Sequence, residues 1–267
     1  MLTAQQRSQL ARVRVDDAGY GWDRFGMSSA GVEFGLTLAR HLHDKYFRVA
    51  SHGAENIPAS GPTIVASNHS GMLPMDGVML WADILLNTSP PRVPRPIADF
   101  FVPGLPVINT VLARAGVISG SRGNVHAALD AGDLLLIFPE GVRGIGKPYA
   151  LRYQLQRWAV GHAELAIRHG ATIVPAAVIG AEESWPQAAK LETFNVLGIP
   201  YLPIPATPLP FPARFHIHYG DPIVVADDYA PADADDPTAL AEAAGRVRDA
   251  VADLIAHGLS QRRGVFQ

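Results

Sequence analysis

Short apolar runs alternate along this chain with longer segments whose apolar residues recur at helical spacing. Ser28–Lys45 carries Val32, Leu36, Leu38, Ala39 and Leu42 roughly on one side and predicts an amphipathic helix. Tyr46–Ala50 reads as a strand, Ile57–Pro62 as a turn and Thr63–Ala66 as a buried strand. Pro74 suits the first turn of a helix running to about Asn87, because its missing N–H would lack a partner there anyway. Met75, Val78, Met79, Ala82 and Leu86 form the apolar stripe of that helix. The rhythm then repeats: a strand near Gly116–Ile118, a helix over Asn124–Ala131, a strand over Leu134–Phe138, a helix over Gln156–His169 and a strand over Thr172–Ile179. A strand at Phe215–Gly220 and a helix from Pro237 to Leu259, buried through Val247, Val251, Leu254 and Ile255, close the pattern.

Strands alternating with helices of this length predict an α/β fold, a single domain with a mostly parallel central sheet flanked by helices. No internal repeat or linker divides it. Residues 46–267 are expected to form the α/β body, and residues 1–45 an N-terminal helical segment for which a membrane-facing role is open. One region breaks the rhythm. Phe194–Pro212 interleaves Val196, Leu197, Ile199, Tyr201, Leu202, Ile204, Leu209 and Phe211 with prolines and has no charge. Prolines exclude a regular helix or a central strand there, leaving a loop packed along the body or a surface that touches membrane.

Composition narrows the function classes. Of 267 residues, 48% are apolar and 18% charged, with a net charge of −3, so the chain has neither a disordered composition nor the basic field that recruits nucleic acid. There is no cysteine, hence no disulfide, thiolate nucleophile or cysteine-ligated cluster, which fits a reducing compartment. The first residues are polar where a signal peptide needs an apolar core, and no run reaches the roughly 18 apolar residues of a simple transmembrane helix. The mean hydropathy of +0.10 is nevertheless high for a soluble enzyme, and the 194–212 segment accounts best for the surplus.

Two abrupt polar turns at strand exits carry the candidate chemistry, the place where open α/β sheets bind ligands. The first, Ser67 to Asp76, holds Asn68, His69 and Asp76. An imidazole takes a proton from an alcohol when a carboxylate on its other nitrogen fixes the tautomer. Spacing alone reads first as a capping Asp and a surface His, and second as such a pair. The second turn, Phe138 to Arg143, offers Glu140, Gly141 and Arg143: backbone amides and a guanidinium for a phosphate or a developing oxyanion, or an ordinary Glu–Arg surface pair. Lys147, Arg152 and Arg157 would thicken a local positive patch. His216 and His218 share one face of a strand, but without a third ligand at matching spacing they read as ordinary strand residues. Glu182 and Glu183 either line the crevice or begin the next loop.

Taken in order, these residues resemble the glycerophospholipid acyltransferase superfamily, especially its lysophosphatidate acyltransferase branch. Asn68, His69 and Asp76 match its first signature, Gly116–Arg122 its second, Phe138, Pro139, Glu140, Gly141 and Arg143 its third, and Val174–Pro175 its fourth. Four motifs in family order outweigh the plain structural readings of each turn. The resemblance implies a glycerol-phosphate acyltransferase-like fold, with His69 as general base and Asp76 as its orienter. It places Asn68, Arg122, Glu140, Gly141 and Arg143 at the substrate. It implies transfer of a fatty acyl group from acyl-CoA or acyl carrier protein to a lysophospholipid hydroxyl, commonly of lysophosphatidate. No metal or other cofactor and no nucleic acid is implied. The expected location is the cytoplasm, peripheral to the inner face of the membrane, with 194–212 as the contact segment. Three departures stand out: six residues rather than four separate His69 from Asp76, Val142 stands where Thr is common, and Gly144 replaces a common Ser. They leave open a neutral acceptor such as a mono- or diacylglycerol, or a degenerate lipid-binding protein.

Overall fold

Runs such as Thr63–Ser67 and Leu134–Leu136 are buried at every position, as a strand must be when helices cover both faces of its sheet. The computed structural model describes residues 7–8, 10–13, 15–71, 74–99, 101–191 and 201–267. In chain order the main elements are α1 (Ser29–His41), β1 (Ala50–His52), β2 (Thr63–Ser67), α2 (Met75–Asn87), β3 (Pro94–Ala98), α3 (Ile108–Arg114), β4 (Ile118–Ser119) and α4 (Arg122–Asp130). They continue as β5 (Leu134–Ile137), α5 (Val142–Ile145), α6 (Gly161–His169), β6 (Thr172–Ile179), α7 (Ala181–Ser184), β7 (Gln187–Leu191), β8 (Leu202–Pro205), β9 (His216–Tyr219), β10 (Ile223–Val224) and α8 (Pro237–Gln261).

The main sheet has eight strands in the order β1-β9-β6-β2-β5-β3-β4, with β10 also on β6. From β6 through β2, β5 and β3 to β4 all neighbours are parallel, whereas β9 and β10 run antiparallel to β6 and β1 runs parallel to β9. The alternation of side chains along each strand divides the core in two. Val65, Leu134 and Leu136 pack with α1 and α2, through Val32, Leu36, Met79, Leu80 and Ile84. Ile64, Ala66 and Leu135 pack with α4, α6 and α8, through Leu129, Ile167, Val247 and Val251. The predicted mostly parallel α/β domain is therefore the observed one, with one reversed edge.

Tyr46–Ala50 is not a strand. Helix α1 runs on as one π-helical stretch, Leu42–Tyr46, and β1 starts at Ala50. The extension delivers His43 into the core, where its Nε2 donates to Asp83 Oδ1 at 3.1 Å. Asp83 also accepts from Ser51, Asn87 and Tyr219, so this carboxylate ties α1, α2, β1 and β9 together. The helix expected from Gln156 begins only at Gly161, because the preceding residues run along the second polar turn and are pinned there by Ala159 N–H donating to Pro139 O. Strand β3 was hidden by Pro94 and Pro96. Its other neighbour, β4, pairs only with Ile97 and Ala98, so the missing donors cost no bond on that side.

Residues 194–200 of the expected membrane segment lie outside the described residues. The rest is anchored: β8 forms an antiparallel hairpin with β7, Trp185 Nε1 donates to Thr207 O at 2.9 Å, and Tyr46 OH donates to Pro210 O at 2.5 Å. Leu209 and Phe211 are exposed beside it. A second apolar surface lies on α1 and α3, where Phe34, Leu38, Val107, Ile108 and Val111 are all exposed. Among the described residues no helix is long and apolar enough to cross a membrane.

Candidate active site

Both polar turns leave the carboxyl ends of adjacent parallel strands, β2 and β5, and so meet in space. Asn68 prolongs the ladder beyond β2: its Nδ2 donates to Val178 O at 3.0 Å and Val178 N donates to its Oδ1 at 2.8 Å. That side chain is buried and fully occupied by β6, so it holds the turn, whereas it was expected to hold substrate. The next residue, His69, projects from a fixed backbone. Its Nδ1 donates to Asp76 Oδ2 at 2.7 Å, and the same oxygen accepts from Ser70 N at 2.7 Å. Asp76 Oδ1 accepts from Gly77 N at 2.7 Å. Asp76 is fully buried in the first turn of α2, where a carboxylate is also favoured by the helix dipole. Despite the two extra residues between them, the pair is closed.

With Nδ1 engaged, Nε2 of His69 is the basic nitrogen. The ring lies against Phe138, with centroids 4.2 Å apart and planes 20° apart, and its side chain remains 12% exposed. Phe138 in turn lines a cleft of about 970 Å³ between the second polar turn, α4 and the start of α6. Gly141, Arg143, Arg122 and Arg157 line it, with Val125, Ile137, Trp158 and Leu165 as its apolar wall.

Glu140 does not face Arg143. It is buried, its Oε1 accepts from His69 N at 3.0 Å and its Oε2 from Gln156 N at 2.7 Å. The expected substrate contact is thus a brace that locks one turn to the other, since a buried carboxylate must find donors and backbone amides supply them. Lys147 was expected on the surface. It is buried 2.7 Å from Glu182 and 3.8 Å from Glu140, so the cationic patch consists of the exposed arginines alone. Burial, partly offset by Lys147, pushes the Glu182 carboxyl up. Gly141 takes a φ of +55°, a conformation that L side chains resist, which turns the chain sharply after Pro139. Gly144 explains its own departure from the family pattern. A Cβ there would sit 2.7 Å from the Cβ and carbonyl oxygen of His69, so the two turns touch only because it is glycine.

Arg143 and Arg157 are exposed and make no ion pair among the described residues, while Arg122 lies 3.3 Å from Glu164 with its side chain 80% exposed. A His–Asp pair whose carboxylate is buried, beside a cleft bearing three guanidiniums, can deprotonate a hydroxyl on a molecule with an anionic group. The chain matches the acyltransferase family over residues 48–179. It is 37% identical over 261 residues to an uncharacterized protein of Mycobacterium tuberculosis, covering 92% of this chain and 72% of the relative.

The chain belongs to the acyltransferase family.

A chicken relative of this acyltransferase, the DGAT1/2-independent enzyme synthesizing storage lipids, is 30% identical over 177 residues, covering 64% of this chain and 51% of that one. Among solved structures, the 1-acyl-sn-glycerophosphate (LPA) acyltransferase PlsC of Thermotoga maritima superposes with a TM-score of 0.62 at 15% identity, covering 97% of this chain and 89% of that one. At that identity the likeness establishes a shared fold. The acyltransferase also holds site features that the motifs did not announce. Phe138 belongs to the third motif, yet its role as the platform for His69 depends on a stacking that spacing does not reveal. Gln156 acts through its backbone amide, which no side-chain pattern records. His162, at the start of α6, lines the cleft with Nδ1 donating to Ala159 O at 3.0 Å, and burial pushes its pKa down to about 4.

Proposed function

We propose that this acyltransferase moves a fatty acyl group from acyl-CoA or acyl carrier protein to the free hydroxyl of a lysophospholipid, with lysophosphatidate as the acceptor. The observation that carries the reading is the His69–Asp76 bond of 2.7 Å beside a cleft bearing three arginines. In the first step His69 Nε2 takes the acceptor's hydroxyl proton while that oxygen attacks the thioester carbonyl. Asp76 holds the tautomer and stabilises the imidazolium that forms. The tetrahedral intermediate then collapses, the C–S bond breaks, and the leaving sulfur takes the proton from the imidazolium, giving ester and free thiol. Arg143, with Arg157 and Arg122, binds the phosphate, since guanidiniums recognise phosphate oxygens through paired hydrogen bonds. Asn68, Glu140 and Gly141 shape the turns around it. The scheme needs no metal or other cofactor.

A second reading is favoured by the chicken relative, whose name concerns storage lipids. In it the same base serves a neutral acylglycerol, and the arginines hold the donor's phosphates. Thiol release from a long-chain acyl-CoA, with products followed by mass spectrometry, separates the two when Arg143→Ala is compared on lysophosphatidate and on mono- and diacylglycerol. The first reading expects a loss of about tenfold or more confined to the phosphorylated acceptor. Equal loss on all acceptors, or turnover of the neutral ones only, favours the second. No turnover with any acceptor or either donor overturns both.

Insoluble acceptors require a protein that reaches the bilayer. We place the peripheral contact, at the inner face of the membrane, on Phe34 and Leu38 of α1 with Val107, Ile108 and Val111 beside α3, rather than on 201–212, whose chain is tied to the body. Liposome flotation tests this: Phe34→Ser combined with Ile108→Ser should release the protein, and Leu209→Ser should not. The reverse result returns the contact to the 194–212 segment.

A further inference from the structure

Three histidines from two separate strands meet on the β1–β9 edge of the sheet, outside the His69–Asp76 pair. Strands β1 and β9 run parallel with Ala50 opposite His216 and His52 opposite His218. Residues two apart on a strand, and residues directly opposite on its neighbour, share a face. His52, His216 and His218 therefore project together, each with one ring nitrogen, and the three nitrogens lie within 4.8 Å of one another. The rings of His52 and His218 stand 4.6 Å apart and nearly parallel, at 15°. On the inner side α8 makes room for them: a Cβ at Gly258 would come within 2.7 Å of His218 Nε2.

Nε2 of His216 and Nε2 of His218 are buried and without a hydrogen-bond partner among the described residues. An unpaired buried acceptor costs stability unless something binds it. Arg214 and Arg262 are the cations nearby, and Arg262 is held in a two-pronged ion pair with Glu183.

We propose that His52, His216 and His218 bind a zinc-like divalent ion that clamps β1 to β9. An imidazole set with no carboxylate suits zinc, nickel, cobalt or copper and does not suit magnesium or calcium. Zinc–nitrogen bonds of about 2.1 Å place tetrahedral ligands about 3.4 Å apart, so the rings must draw inward. His52 is exposed and can swing to do so. Water fills the fourth position. The clamp is worth having at this place, because β1 is an edge strand held to β9 by a ladder of three register pairs.

The full chain, stripped with chelator, is titrated with Co²⁺ by absorption and with Zn²⁺ by equilibrium dialysis. One equivalent should bind, with a tetrahedral cobalt spectrum and a rise in Tm of about 3 °C or more at saturating Zn²⁺. His52→Ala, a change at an exposed position, should weaken binding at least about tenfold while leaving the metal-free Tm unchanged, and His216→Ala should do the same. His126→Ala, which breaks the separate His126–His169 contact of 2.6 Å, should bind as the parent does. Absence of a stoichiometric site, or binding that survives both His52→Ala and His216→Ala, or binding that is lost instead in His126→Ala, would overturn the proposal.

Discussion

Helix α2 carries two buried aspartates, Asp76 and Asp83, seven residues and so two turns apart, and each holds a histidine from another segment. On the proposed mechanism one pair serves chemistry and the other architecture, and the difference lies in what surrounds them. His69 spends one nitrogen on Asp76 and keeps the other free, its ring stacked on Phe138 at the cleft wall. His43 spends both, donating Nε2 to Asp83 at 3.1 Å and Nδ1 to Asp44 at 2.9 Å. Asp83 is saturated by four side-chain donors, from His43, Ser51, Asn87 and Tyr219. Burial alone would lower the His43 pKa, but its bonds to Asp83 and Asp44 outweigh burial and hold it above the usual value of 6.5. With both nitrogens bonded to carboxylates, His43 has none free to act as a base. On the proposed mechanism, the same two residue types serve as a catalytic pair or a structural one according to one vacant lone pair.

Removing the base should break the comparison most strongly. His69→Ala should lower the turnover number about 100-fold or more, the scale of general-base catalysis, with little change in Tm. Asp76→Asn should follow it closely, because the amide no longer selects the right tautomer, and the loss should fall on kcat rather than KM. Steady-state thiol release measures both, and a His69→Ala enzyme at parental rate would remove the mechanism. Asp83→Ala should do the opposite. Leaving His43, Ser51, Asn87 and Tyr219 without their shared acceptor in the core should cost about 3 kcal/mol, read from urea unfolding, while the folded protein keeps its kcat. Equal loss of kcat in folded Asp83→Ala would mean that the two pairs are not separable.

The α/β class and the meeting of the two turns were legible because they follow from strand order: buried apolar runs, each ending in an abrupt polar turn, can join only at one edge of a parallel sheet. The third histidine of the β1–β9 cluster was not legible, since His52 lies far in sequence from His216 and only the parallel register unites them. Asn68 and Glu140 illustrate a different limit. Their presence in the motifs marks them as belonging to the site, but whether a carboxylate or amide faces substrate or backbone depends on which N–H groups the tertiary fold leaves unpaired. Tyr46–Ala50 misled because its alternation is also that of a helix end drawn inward by Asp83. Such long-range pulls are absent from local pattern.

A third histidine sharpens the comparison at smaller cost. His162 lines the cleft itself and keeps Nε2 unpartnered, but it has no carboxylate: Nδ1 donates to Ala159 O, and burial lowers its pKa to about 4. Its folded-state pKa lies below the ordinary 6.5, so the unfolded chain binds the extra proton first as acid is added. The sign follows: the stability contributed by neutral His162 is complete above pH 6.5 and is lost as the pH falls toward 4. His43, raised above 6.5, acts in the opposite sense, contributing fully in acid and losing its contribution as the pH rises through its folded value. Replacing His162 with glutamine should therefore flatten the acid limb of the unfolding curve by about 3 kcal/mol between pH 6.5 and 4. The parent and variant should share their profile above pH 7. If the acid limb is the same in both, the loss of stability belongs to the carboxylates, and an open nitrogen without an acidic partner has no more effect on this fold than an ordinary core side chain.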